Sequence, residues 1–88
     1  MNYIKGKYKN SIFTSDSGYT VGLFRCKESD VEEDIENKTV TFTGLFPELN
    51  TEDTYIFYGK YMSFFNRSYG HHSMTFLVSS DCLSFVIT

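Results

Sequence analysis

At 88 residues the chain has room for one domain and one modest core, since a chain of this size buries only about 60–65% of its unfolded surface. Nine Phe and seven Tyr supply large rings for that core, and Ala, the strongest helix former, is absent. The net charge of −3 excludes a uniformly basic protein, yet it is unevenly spread: residues 1–27 carry a balance of +4, residues 28–53 of −8 and residues 54–80 of +2. A chain that is acidic as a whole can therefore present a locally basic face.

No apolar run approaches the ~18 residues of a membrane helix. The opening Met1-Asn2-Tyr3-Ile4-Lys5-Gly6 lacks the apolar h-region of a secretory signal, so the expected location is the cytoplasm. Cys26 and Cys82 are too few for a disulfide framework, and as strand-embedded thiols they read as reduced core residues.

The chain reads as a series of short strands. Residues 3–13 alternate, with Ile4, Gly6, Tyr8, Asn10 and Ile12 on one face and Lys5, Lys7, Lys9, Ser11 and Phe13 on the other. Ser15-Asp16-Ser17-Gly18 is a turn, and a second strand runs from Tyr19 to about Cys26, with Gly22 as a bulge or bend point. Residues 28–37 hold six acids in ten positions, a self-repelling run that predicts a solvated loop. Thr39-Val40-Thr41-Phe42-Thr43 alternates cleanly, with Val40 and Phe42 inward. Pro47, the single proline of the chain, marks the break that follows. Residues 55–62 form a fourth strand, 64–70 a loop and 73–79 a fifth strand. The apolar tail 82–88 has no stop signal and reads as the start of a linker or a following domain, leaving 1–80 as the folded unit.

Five short strands, tight turns and no long helical pattern predict an all-β domain, a small five-stranded OB-like barrel, with an SH3-like barrel as the alternative. Closure into a barrel also removes most of the exposed edges that so many β-formers would create.

Two stretches carry a family signature. One is Ser17-Gly18-Tyr19-Thr20-Val21 followed by Leu23-Phe24-Arg25. The other is Thr41-Phe42-Thr43-Gly44-Leu45-Phe46-Pro47-Glu48-Leu49-Asn50, then Tyr55 through Gly59-Lys60-Tyr61. Together with Ile4-Lys5-Gly6 they resemble the N-terminal OB-type domain of RecD-like DNA helicases, the long form of the exodeoxyribonuclease V alpha subunit, over residues 3–76. Where that family has a His-Pro-basic-Tyr-Gly step, this chain reads Phe64-Phe65-Asn66-Arg67-Ser68-Tyr69-Gly70, which matches only at Arg67, Tyr69 and Gly70. The resemblance implies a non-catalytic accessory domain preceding an ATP-dependent motor that serves DNA repair and recombination. Its partners would be single-stranded DNA and the motor domains of the same polypeptide. The motor's phosphate-binding Gly-x-x-x-x-Gly-Lys-Ser/Thr loop does not occur in these 88 residues.

The candidate nucleic-acid residues are Lys5, Lys7, Lys9, Tyr19, Arg25, Lys60, Tyr61, Arg67 and Tyr69. The three alternate lysines form a phosphate-tracking stripe, with Phe13, Tyr19, Phe24 or Tyr61 as stacking platforms; equally, they are a solvated face that discourages edge pairing. Arg67, Tyr69, His71 and His72 either contact nucleic acid or staple a hairpin shut. Adjacent strand residues point to opposite faces, so His71 and His72 do not converge on one ion, and no metal or other cofactor is expected. Neither cysteine has an orienting acid or an oxyanion hole at recognisable spacing, so no catalytic residue is expected. The acidic run is solvent-exposed, or it competes with nucleic acid or contacts a basic partner.

Overall fold

The computed structural model describes residues 1–66, 70–79 and 85–86. Five long strands carry the architecture: β1 (Asn2–Thr14), β2 (Tyr19–Ser29), β3 (Thr39–Leu45), β4 (Thr54–Asn66) and β5 (His71–Val78). A two-residue β6 (Phe85–Val86) adds beside Tyr55 and Ile56 of β4. Around the barrel the order is β1-β2-β3-β5-β4, and pairing of β1 with β4 from Asn2↔Gly59 to Lys7↔Thr54 closes it. All neighbours are antiparallel except β3 and β5, which run parallel at Thr41–Thr43 against Thr75–Leu77.

The core is aromatic, as the composition demands. Phe24, Phe42, Phe57 and Phe76 are fully buried, one each from β2, β3, β4 and β5, with Ile4 from β1. Phe57 is the hub: its ring centroid lies 4.6 Å from Phe24, 5.0 Å from Phe42, 5.0 Å from Phe46 and 5.9 Å from Tyr55. Each such pair adds about 0.5–1.5 kcal/mol beyond the area it buries. Cys26 is a buried free thiol in this cluster, as expected of it; Cys82 lies outside the described residues.

The two ends of the barrel are sealed differently. At one end, which we call the turn end, the segment after Leu45 folds inward so that Phe46 is buried, its ring 5.5 Å from Phe42, and Leu49 packs behind it. The β1–β2 turn is tied to this plug, because the Phe46 amide donates to the Gly18 carbonyl. Gly18 sits at φ 92°, a conformation that disfavours any side chain. The other, acidic end is closed by the segment between β2 and β3. The expected loop is there and its acids are exposed, but two details are corrected: β2 runs on to Ser29, and Ile35 is only 5% exposed within the core cluster, with Val31 packed against it. Backbone bonds fix the segment. The Cys26 amide donates to the Lys38 carbonyl, and the Asn37 and Lys38 amides donate to the carbonyls of Cys26 and Ile35.

Strand limits differ from the sequence reading mainly by extension. β3 reaches Leu45, β4 continues through Asn66 into the stretch expected as a loop, and β5 starts at His71. One face assignment is overturned. The β1–β2 register shifts between Tyr8 and Asn10 and again between Ser11 and Phe13, so Lys9 and Ile12 are bulge residues. Each extra residue reverses the alternation. Asn10 and Ile12, expected inside, are exposed, Ile12 at 62%, whereas Ser11 stands opposite buried Gly22 and is itself exposed. Gly22 has no room for a side chain: a Cβ there would lie 2.9 Å from the Phe42 ring.

Candidate nucleic-acid interface

The outer surface of the barrel can be read row by row from the strand registers, because directly opposed residues share a face. One row runs Phe13, Val21, Thr43, Leu77, Lys60 across β1, β2, β3, β5 and β4. The next toward the acidic end is Asn10, Leu23, Thr41, Thr75, Met62. A third holds Thr54, Lys7, Arg25 and Thr39. At the turn end Tyr19 stands opposite Leu45. The patch centred on β2 and β3 therefore carries cations at one end, exposed apolar groups at the other, and threonines between.

Phe13 and Leu45 are 55% and 59% exposed, and Tyr19 is exposed beside them. The turn that presents them is well braced: the Ser15 amide donates to the Tyr19 carbonyl, the Gly18 amide to the Ser15 carbonyl, and the Tyr19 amide to Ser15 Oγ. Between this turn and the start of the next segment lies a shallow depression of about 450 Å³, lined by Asp16, Ser17, Gly18, Leu45, Phe46 and Pro47.

The cations are held differently from one another. Lys7 Nζ donates to the Glu52 carbonyl at 3.1 Å, which leaves its charge unneutralised. Arg25 is exposed opposite Lys7. Lys5 stands opposite Glu28 across the same β1–β2 pair, and Tyr3 Oη donates to Glu28 Oε2 at 2.8 Å. That bond to a carboxylate, reinforced by the nearby negative charges, pushes the Tyr3 phenol above its ordinary range. Lys9 is exposed at its bulge, and Lys60 is exposed on β4 opposite Leu77. Among the described residues the single ion pair is Lys38 Nζ to Asp34 Oδ2 at 3.8 Å, well away from these cations in sequence.

The structure thus brings Lys7, Tyr19 and Arg25 onto one face, sets Lys60 at its far edge, and places Lys5 two residues before Lys7 on β1, opposite the acidic Glu28. It corrects two of the expected stacking platforms. Phe24 is fully buried among the core rings, and Tyr61 points inward opposite Phe76, packed against the core. Burial raises the Tyr61 phenol, the neighbouring Glu33 charge adding to it. Arg67 and Tyr69 lie outside the described residues, as do the side chains of His71 and His72. Leu45 was missed by the sequence reading because it was grouped with the chain break at Pro47, although its place after Thr43-Gly44 continues the outward alternation of β3. Among the described residues no group of three His, Cys, Asp or Glu side chains could hold a metal ion, and no helix is long and apolar enough to cross a membrane.

A five-stranded barrel closed between β1 and β4, with β3 and β5 parallel, is an OB fold, and the SH3-like alternative is set aside. In that class the β2–β3 face and the β1–β2 and β4–β5 loops contact oligonucleotides or oligosaccharides. The chain belongs to the family described as the OB-fold domain of the ATP-dependent DNA helicase YrrC, whose family model matches residues 1–72. No solved structure matches the chain significantly.

Proposed function

We propose that this accessory domain holds single-stranded DNA against the outer face of β2 and β3, serving an ATP-dependent helicase motor in the same polypeptide. The observation that carries the reading is the pairing of Lys7 with Arg25 on the same face as exposed Phe13 and Tyr19, with no acid in the rows between them. Cations bind phosphates and release counterions, while rings accept unpaired bases of any sequence by stacking. The same reading puts the protein in the cytoplasm, in DNA repair and recombination.

Fluorescence anisotropy with a labelled oligothymidylate tests it. With about three phosphate contacts, affinity falls roughly twentyfold between 50 and 200 mM salt. Absence of binding at low salt, or an affinity indifferent to salt, would reject the proposal.

A second reading, docking of the domain onto the motor or another protein, is favoured by Ile12 and Leu45. Both are aliphatic and more than half exposed, and they offer a base no stacking surface. Loss of motor binding in Ile12→Lys, with oligothymidylate binding unchanged, would select it.

A further inference from the structure

The outer wall carries more cations than the single-strand reading uses. β1 turns Ile4 and Gly6 inward and Lys5 and Lys7 outward, and β2 places Arg25 opposite Lys7. Two residues on from Arg25 stands exposed Lys27, the extra residue of a bulge between the pairs Gly6↔Cys26 and Lys5↔Glu28. Lys5, Lys7, Arg25 and Lys27 therefore occupy two successive outward rows of one strand pair, about 7 Å along the strands and about 5 Å across them. Among the described residues none of the four is in an ion pair. Lys7 Nζ is held by a neutral carbonyl, whereas Lys38, nearby, is taken by Asp34 at 3.8 Å. The acid in these rows is Glu28, whose Oε2 accepts from Tyr3 Oη at 2.8 Å. Glu32 and Glu33 lie off the wall, beside Asn2 and Tyr61 on the inward side of their strands.

We infer that this quartet holds the backbone of double-stranded DNA, so that the domain binds a junction of single strand and duplex. The inference rests on the single-strand reading above. The exposed rings Phe13 and Tyr19 stand at the turn end, and Tyr19 lies six residues before Arg25, about 20 Å along β2. Unpaired bases stack on such rings, whereas paired bases are already stacked inside a duplex and offer a ring nothing. What a duplex offers is phosphate, one charge per about 1.7 Å of axis against about 3.4 Å for one of its strands. Four cations packed this closely, with no ring among them, gain most from the denser charge. The single strand runs along β2–β3 from Tyr19 and Leu45 to Lys7 and Arg25, and the duplex begins at Lys5 and Lys27, one row further on. Such contacts position the duplex without reading its sequence.

Anisotropy titrations of the 88-residue chain with labelled probes test the inference. The probes are an oligothymidylate of about ten nucleotides, one of about twice that length, and a duplex of about twelve base pairs carrying the shorter oligothymidylate as a 5′ or a 3′ tail. The preferred tailed duplex should bind about tenfold more tightly than the short single strand, with a salt slope steeper by about 1.8, the value for two duplex phosphates. Lys5→Gln/Lys27→Gln, its fold checked by a matching thermal midpoint, should remove that advantage and change affinity for the short single strand by at most about twofold. Lys27→Gln alone, at an exposed bulge position, should remove about threefold of it, which keeps the test standing if the double variant fails to fold. A longer single strand that gains as much as the tailed duplex, after correction for binding registers, makes the quartet part of the single-strand site and overturns the junction. Equal losses for every probe in the variants, or no loss for any, overturn it too. Absence of binding to the short single strand is a different result, because it rejects the single-strand reading itself.

Discussion

Lys7 and Arg25 stand directly opposite each other across the β1–β2 pair, both on the outer face of the barrel, and no acid of the described residues pairs with either. Like charges in opposed strand positions destabilise a sheet. Thr39 and Thr54 flank the two cations and offer no charge to relieve them. A fold tolerates such a pair at a modest cost, and a phosphate placed between the two cations reverses the sign of their interaction. The arrangement favours a bound anion over the free domain.

Replacing one member should therefore separate stability from binding. Arg25→Thr keeps a strand-forming residue and removes the repulsion, so it raises stability by about 0.2–1 kcal/mol. The same change weakens oligothymidylate binding by about five- to tenfold, and it lowers the salt slope by about 0.7. Urea denaturation and anisotropy on the same sample check both signs.

The barrel was legible because its signals are local. Val40 and Phe42 alternate with threonines, Gly18 follows Ser-Asp-Ser, and Pro47 ends a strand, so each element announces itself within a few residues. The β1 face was misread at Asn10 and Ile12, and regained at Phe13, for an equally physical reason. A bulge inserts one residue without a compositional mark, and two of them, at Lys9 and Ile12, reverse the alternation twice. Ile35 was hidden by its neighbours. Four acids in Glu32, Glu33, Asp34 and Glu36 outweigh one isoleucine in any average, yet Val31 and Ile35 are the two apolar residues of the run and both turn inward. Whether Tyr19 or Tyr61 faces solvent was beyond reach, since strand rings serve core and surface equally well until pairing is known.

The acidic run is accordingly structural at one position. Ile35→Ser should cost about 2–3 kcal/mol, through lost burial and a hydroxyl with no assured partner at the barrel end. Glu33→Gln, exposed two residues away, should stay within about 0.5 kcal/mol of the wild type. Thermal melts of the two variants distinguish an anchored plug from a solvated loop, for which both changes would be silent.

The hub of the core gives the sharpest stability test. Phe57→Ala removes a ring that meets four others and should cost about 3–5 kcal/mol. A domain of this size has roughly 4–13 kcal/mol in total, so the variant sits near its unfolding threshold at 37 °C. Phe57→Leu keeps the site apolar and should lose less. Near-ultraviolet circular dichroism, which reports fixed packing of the rings, should collapse in the first and persist in the second.

Alkaline pH attacks the same core from within. Burial raises the Cys26 thiol above its ordinary range and raises the Tyr61 phenol likewise, with nearby carboxylates adding to both. A group whose pKa is raised on folding binds its proton more tightly in the native state. Its contribution to stability is complete below the unfolded pKa and is lost as pH rises through the folded one. Stability should thus hold through neutral pH and decline from the ordinary thiol range upward, the thiol acting first and the phenol at higher pH. Denaturant midpoints measured from pH 7 to pH 10.5 would trace that decline. In Cys26→Ala the earlier part of the fall should be absent while the later part remains. A midpoint that drops equally early in the variant would show that the buried thiol is not the group being titrated.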